Sequence, residues 1–113
     1  MQDKVLKWLY DIQQALNEID SYFDNTITFK VYKNHIMLKR AVERDLEIIG
    51  EAINRIIKTD DSFKNKITDA VEIVGFRNQV IHGYDTVSDE IIWSILKDHL
   101  PLLKKEINLL INE

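Results

Sequence analysis

Between Gly75 and Tyr84 the chain reads Gly-Phe-Arg-Asn-Gln-Val-Ile-His-Gly-Tyr, the one stretch where a permanent cation (Arg77), an amide (Asn78), an imidazole (His82) and a phenol (Tyr84) crowd together. A guanidinium can hold a phosphate through two parallel hydrogen bonds. An imidazole of near-neutral pKa can move a proton to or from a ribose hydroxyl or a leaving oxygen. Those two groups suffice for RNA cleavage without a metal. The carboxylates are scattered along helical patterns instead of clustering with histidine, so neither a metal site nor a bound cofactor is expected. Cysteine is absent, which removes disulfide frameworks, thiolate zinc sites and cysteine nucleophiles. His35 and His99 lie on expected helices without ligand partners at helical spacing and read as surface or packed residues. Trp8 and Trp93 read as core or interface residues rather than base-stacking platforms.

Helices must position these groups. In 113 residues there are only three Gly and one Pro, far fewer breakers than the roughly 12% of average usage. With 45% hydrophobic and 30% charged positions, the composition fits one helical domain spanning residues 1–113. Val5, Leu9, Ile12, Leu16, Ile19 and Phe23 alternate steps of four and three, predicting a helix over about 3–24. A second, long helix is expected from Tyr32 to Lys58, with Gly50 inside it for close helix–helix approach. Asp60-Asp61-Ser62 reads as the cap of a third helix carrying Phe63, Ile67, Ala70, Val71 and Val74. The last segment, from Asp89, should kink near residues 97–101 at Pro101. The expected fold is an all-α, antiparallel four- to five-helix bundle. In a regular helix, Arg77 and His82 would stand roughly 140° apart. Either the helix ends at His82, with Gly83 as its left-handed terminal residue, or Arg and His from two protomers converge. Asn78 and His82, four apart, share a face, where Asn78 can orient the ring or a phosphate.

The net charge of −4 argues against nonspecific coating of nucleic acid, and DNA is not an expected partner. The stretch 30–44 is the exception, with Lys30, Lys33, Lys39, Arg40 and Arg44 against Glu43 alone. Lys39, Arg40 and Arg44 read either as a solvated helix face or as a short phosphate-contacting strip. Glu43 and Arg44 fit the wall of the site or a structural ion pair equally well. No apolar run approaches the roughly 18 residues of a membrane span, and the amino terminus opens into amphipathic sequence, so a cytoplasmic protein without a membrane partner is expected. The doublets Ile48-Ile49, Ile91-Ile92 and Leu102-Leu103 exceed one narrow apolar stripe and predict a second packing surface.

Arg77-x4-His82-x-Tyr84, with Asn78 directly after the arginine, resembles the signature of the HepT-like toxins of the HEPN (higher eukaryotes and prokaryotes nucleotide-binding) superfamily. The block Arg40–Ala52 is similar to that family's long second helix, and Asp89–Leu103 to its final helix. Ile67-Thr68-Asp69-Ala70 departs from the pattern, lacking the Pro and Trp of many relatives. The resemblance implies an all-α homodimer in which two Arg77/His82 pairs face one cleft and cleave RNA without metal. It further implies a type II toxin–antitoxin system in which a cognate minimal nucleotidyltransferase neutralises the toxin by transferring AMP to Tyr84. An alternative role within the superfamily is a noncatalytic nucleotide- or RNA-binding partner subunit of a nucleotidyltransferase.

Overall fold

The stripe Val5, Leu9, Ile12, Leu16 and Ile19 folds into α1 (Asp3–Tyr22), and all five side chains are buried. The structure is a computed structural model that describes residues 2–82 and 88–113, apart from the side chains of Ile81 and His82. The second predicted helix is divided into α2 (Phe29–Lys33) and α3 (Ile36–Thr59). Local side-chain bonds compete with helix continuation here. The Asn34 amide donates to the Lys30 carbonyl (2.9 Å), closing α2. His35 Nδ1 then accepts from the Leu38 N–H (3.1 Å), starting α3 afresh. His35 is therefore an N-cap outside the helices, a correction to its expected place on one.

The third helix also starts later than its periodicity predicts. Asp60 Oδ1 accepts from the Ser62 N–H (3.1 Å) and hydroxyl (2.7 Å), and a 3₁₀ turn (Asp61–Asn65) follows in place of α-helix. Phe63 and Ile67 reach the core from this turn and the bend after it, while α4 spans Ala70–His82. The Glu106 carboxylate accepts from the Thr68 N–H and hydroxyl, and His99 Nδ1 lies 3.0 Å from Asp69 Oδ2. These bonds fasten the entrance of α4 to the final helix.

That final helix consists of α5 (Asp89–Ser94), a π-helical turn (Ile95–His99) and α6 (Leu100–Ile111). Pro101 lacks an N–H, and its ring would meet the carbonyl four residues back, so the preceding turn widens, with the Leu100 N–H bonding to Ile95. The sequence-predicted irregularity is thus a π turn. Counting α5 through α6 as one bent helix, the described residues form five helices and no strand, an all-α helical bundle. The core runs between α1, α3, α4 and α6, extended by the aromatic group Phe23, Phe29, Tyr32 and Trp93. Trp93 is thus a packing residue, with Lys97 4.6 Å over its ring. No described helix is long and apolar enough to cross a membrane. In each apolar doublet one residue turns inward and its neighbour remains partly accessible: Ile91 is 45% exposed beside buried Ile92, and Leu102 41% beside buried Leu103.

One acid lies inside this core. Asp45 on α3 is only 1% exposed, and Tyr22 of α1 donates to its Oδ2 at 2.8 Å. Burial, reinforced by Glu18 of α1, pushes the Asp45 carboxyl up to about 6 against the opposing effects of the Tyr22 hydrogen bond and the Arg44 charge. The Tyr22 phenol is raised to about 12, chiefly by its bond to Asp45. Because the folded pKa exceeds the unfolded one, the Asp45 contribution to stability is complete at low pH and is lost as pH rises through about 6. Asp45→Asn keeps an acceptor for Tyr22 without the ionisable group. Its stability relative to wild type should therefore increase between pH 5 and pH 8, by about 1–2 kcal/mol, in paired denaturant titrations.

Candidate active site

Gly50 sets the position of the site. In the interior of α3 a glycine costs about 1 kcal/mol relative to alanine, yet a Cβ here would overlap Arg77 Cβ on α4 and stand 2.9 Å from Arg77 Cγ. The α3–α4 contact therefore requires the bare backbone, in agreement with the close approach expected from the sequence. It brings Arg77 against the residue following Gly50. Arg77 Nη2 pairs with Glu51 Oε2, and Nη1 donates to Asn78 Oδ1 at 2.9 Å. Glu51 also accepts from Arg55 Nε at 2.9 Å. That hydrogen bond, with the charges of Arg77, Arg55 and Lys58, holds the Glu51 carboxyl below its ordinary pKa. An anionic Glu51 thus holds the Nη2 side of Arg77, and Asn78 holds its Nη1. Arg77 Nε is buried with no hydrogen-bond partner among the described residues.

Arg77 lines an open groove of about 320 Å³ between α1, α3 and α4, with Trp8, Asp11, Arg44, Glu47, Glu51 and Arg55 among the other residues of its wall. Arg44, on the predicted basic strip, belongs to this groove. Lys39 and Arg40 do not line it: Lys39 pairs with Asp89 at 3.2 Å, and Arg40 with Glu43 at 2.7 Å. α4 reaches His82, where the sequence reading allows the helix to end. The His82 side chain, Gly83 and Tyr84 lie outside the described residues. Asn78 is exposed and is bound to Arg77, the neighbour that its predicted face did not include.

Sequence reasoning missed Glu51 and Glu47, and placed Trp8 in the core or an interface without reference to the groove. The clue to Glu51 was its place beside Gly50 and four residues before Arg55. Nothing local links Trp8 to Arg77. His99 is held by Asp69, away from this groove. Among the described residues no three His, Asp or Glu side chains are grouped closely enough to hold a metal ion.

A helical bundle with a guanidinium on the wall of an open groove lined by charged and apolar side chains is the class defined so far. The family model described as Ribonuclease HepT-like matches residues 12–110, and the chain belongs to the HepT-like family of the HEPN superfamily. It is 37% identical to "Putative RNase MJ1380" of Methanocaldococcus jannaschii, over 93% of this chain and 94% of that one. A second protein of that organism, "Putative RNase MJ1216", is 33% identical over 94% of this chain and 86% of its own length. "Probable ribonuclease HepT" of Thermococcus cleftensis is 32% identical over 86% of both chains. No solved structure gives a significant match.

Two alanine substitutions separate packing from helix propensity. Gly75 on α4 is exposed, and a Cβ there meets nothing within 4 Å, so Gly75→Ala should stabilise the fold by about 0.5–1 kcal/mol. At Gly50 the same propensity gain is opposed by an overpacking cost of about 1–3 kcal/mol, because Arg77 Cβ is fixed by the α4 backbone. Gly50→Ala should lower the thermal midpoint and Gly75→Ala raise it, as read by circular dichroism.

Proposed function

We propose that this protein is the ribonuclease toxin of a type II toxin–antitoxin system, cutting RNA without a metal ion. The observation that carries the reading is Arg77 itself, oriented by Glu51 and Asn78 on the wall of an open groove, with His82 five residues further along the same helix. The family match and the names of the relatives support the coarser part of this reading, a ribonuclease.

In this mechanism Arg77 holds the scissile phosphate and offsets charge as it develops. His82 takes the proton of the neighbouring ribose 2′-hydroxyl. The 2′ oxygen attacks phosphorus, the bond to the 5′ oxygen breaks, and a second proton passes to that leaving oxygen. The products are a 2′,3′-cyclic phosphate and a 5′-hydroxyl. A helix C-terminus favours the protonated imidazole, which suits a general acid. A homodimer divides the two proton transfers between two His82 copies, and the partly accessible Ile91 and Leu102 support a second packing surface of this kind. Purified protein in EDTA should cleave single-stranded RNA to cyclic-phosphate ends. Arg77→Ala and His82→Ala should each lose a hundredfold or more, about the size of one general-acid–base or oxyanion contribution. Cleavage at the wild-type rate by both variants, or 3′-hydroxyl ends, would reject the assignment.

Tyr84 is the regulatory acceptor. Its phenol, with an ordinary pKa near 10, is a poor base at neutral pH. An AMP group added two residues after His82 brings a phosphodiester charge that competes with RNA for Arg77. Incubation with a cognate minimal nucleotidyltransferase and ATP should add one adenylyl mass to the Tyr84 peptide and abolish cleavage, while Tyr84→Phe should escape inhibition. Adduct mass on another residue would overturn this role.

The second reading, a noncatalytic RNA- or nucleotide-binding subunit of the transferase, is favoured by the Arg77–Glu51 pair, which partly satisfies the guanidinium. RNA binding with no cleavage by any wild-type preparation would select it.

A further inference from the structure

The charged residues around α3 are mostly engaged with one another. Arg40 pairs with Glu43, Arg55 and Arg77 with Glu51, and Lys39 with Asp89. Arg44 and Glu47, one turn apart on α3, have no ion-pair partner among the described residues, and both line the groove that Arg77 enters. Trp8 of α1 lines the same groove, half-buried against the core. Asp11, also on the groove wall, is engaged by Lys7 at 2.8 Å. An aromatic ring, an unpaired guanidinium and an unpaired carboxylate thus line one groove beside Arg77. Those three groups match the three parts of a nucleotide: π-face, phosphate and base edge.

We infer that the groove beside Arg77 is a subsite for a guanine nucleotide of the RNA substrate, with Trp8 stacking the base, Glu47 accepting from its edge and Arg44 holding the flanking phosphate. The volume of about 320 Å³ lies in the roughly 300–1,000 Å³ range of small-molecule sites. Glu47 decides the base. A carboxylate only accepts hydrogen bonds, and guanine alone offers two adjacent donors, N1–H and the N2 amino group, with the spacing of its two oxygens. Adenine and cytosine place a ring-nitrogen acceptor beside their amino group. Uracil flanks its single N–H with two carbonyl oxygens. Each of those edges sets a lone pair against the carboxylate. The subsite rests on the ribonuclease reading, because it selects the nucleotide placed next to the scissile phosphate.

The test uses the full chain as a Trp93→Phe variant, which leaves Trp8 as the sole tryptophan. The probes are single-stranded 2′-O-methyl tetranucleotides, which lack the attacking hydroxyl, with guanine, adenine, cytosine or uracil at one position among uracils. Guanine should quench Trp8 emission at a concentration about tenfold or more below that needed for uracil, the size of one charge-assisted hydrogen bond. Glu47→Gln should remove that preference, with Glu47→Ala as a second variant and circular dichroism verifying that each is folded. Arg44→Ala should weaken all four probes to a similar degree and flatten the salt dependence.

Equal affinity for the four bases overturns the inference, as does Trp8 emission unchanged when anisotropy reports a bound oligonucleotide. Guanosine monophosphate binding as tightly as the tetranucleotide also overturns it, making the groove a free-nucleotide site. Emission that changes with protein concentration but with no probe overturns it too, assigning the groove to a second copy of the chain. Cleavage of unmodified RNA, measured alongside, separates the two claims. Arg77-dependent cleavage without base preference removes the subsite alone. Guanine-selective quenching without cleavage removes the nuclease reading and with it the placement beside a scissile phosphate, leaving a guanine-binding groove on a noncatalytic subunit.

Discussion

The bare backbone of Gly50 against the Arg77 side-chain stem is the contact on which the arrangement of this protein turns. Helices separated by ordinary side chains pack about 8–10 Å apart. At Gly50 no Cβ intervenes, so the base of the Arg77 side chain seats directly on α3. The guanidinium then meets Glu51, and its direction is set by α3 as much as by the helix that carries it. The lost helix propensity of one glycine, about 1 kcal/mol, is offset by avoiding an overpacking cost of about 1–3 kcal/mol at that contact.

Other structural devices serve the same end. The π turn before Pro101 places His99 against Asp69, and Glu106 holds Thr68, so the start of α4 is fastened to the final helix by two separate sets of hydrogen bonds. The end of α4, which bears His82, is thereby carried on a helix fixed at its origin and pinned at its middle by Gly50. The buried Asp45–Tyr22 bond joins α1 to α3. α1 in turn supplies Trp8 to the groove wall. The groove is thus shaped by three helices whose relative placement is held partly by apolar core and partly by individual polar bonds.

Charge had two meanings in the linear sequence, and the fold separates them. Lys39, Arg40 and Arg44 form one basic strip when read along the chain. In three dimensions Lys39 and Arg40 have acidic partners, whereas Arg44 turns into the groove with Glu47. A pair with an exposed arginine such as Arg40–Glu43 contributes little to stability, typically about 0–1 kcal/mol, while Lys39–Asp89 is partly buried; in both the opposite charges largely cancel.

The helical class, the stripe of α1, the irregularity at Pro101 and the close approach at Gly50 were legible in the sequence because each follows from a local property: periodicity, a missing N–H or a missing Cβ. Arg77, His82 and Tyr84 stood out for the same reason, as chemically distinctive side chains a few residues apart. The sequence did not show the restart at His35 or the 3₁₀ turn after Asp60, where single side-chain bonds outweigh an unbroken apolar spacing. Nor did it show that Glu51 receives Arg77, that Asp45 is buried against Tyr22, or that Trp8 and Arg44 share a wall with the arginine. Those relations join residues of different helices. Periodicity determines which face of a helix turns inward, but only the packed positions of the helix axes decide which side chains from separate faces meet and where a concave surface opens between them.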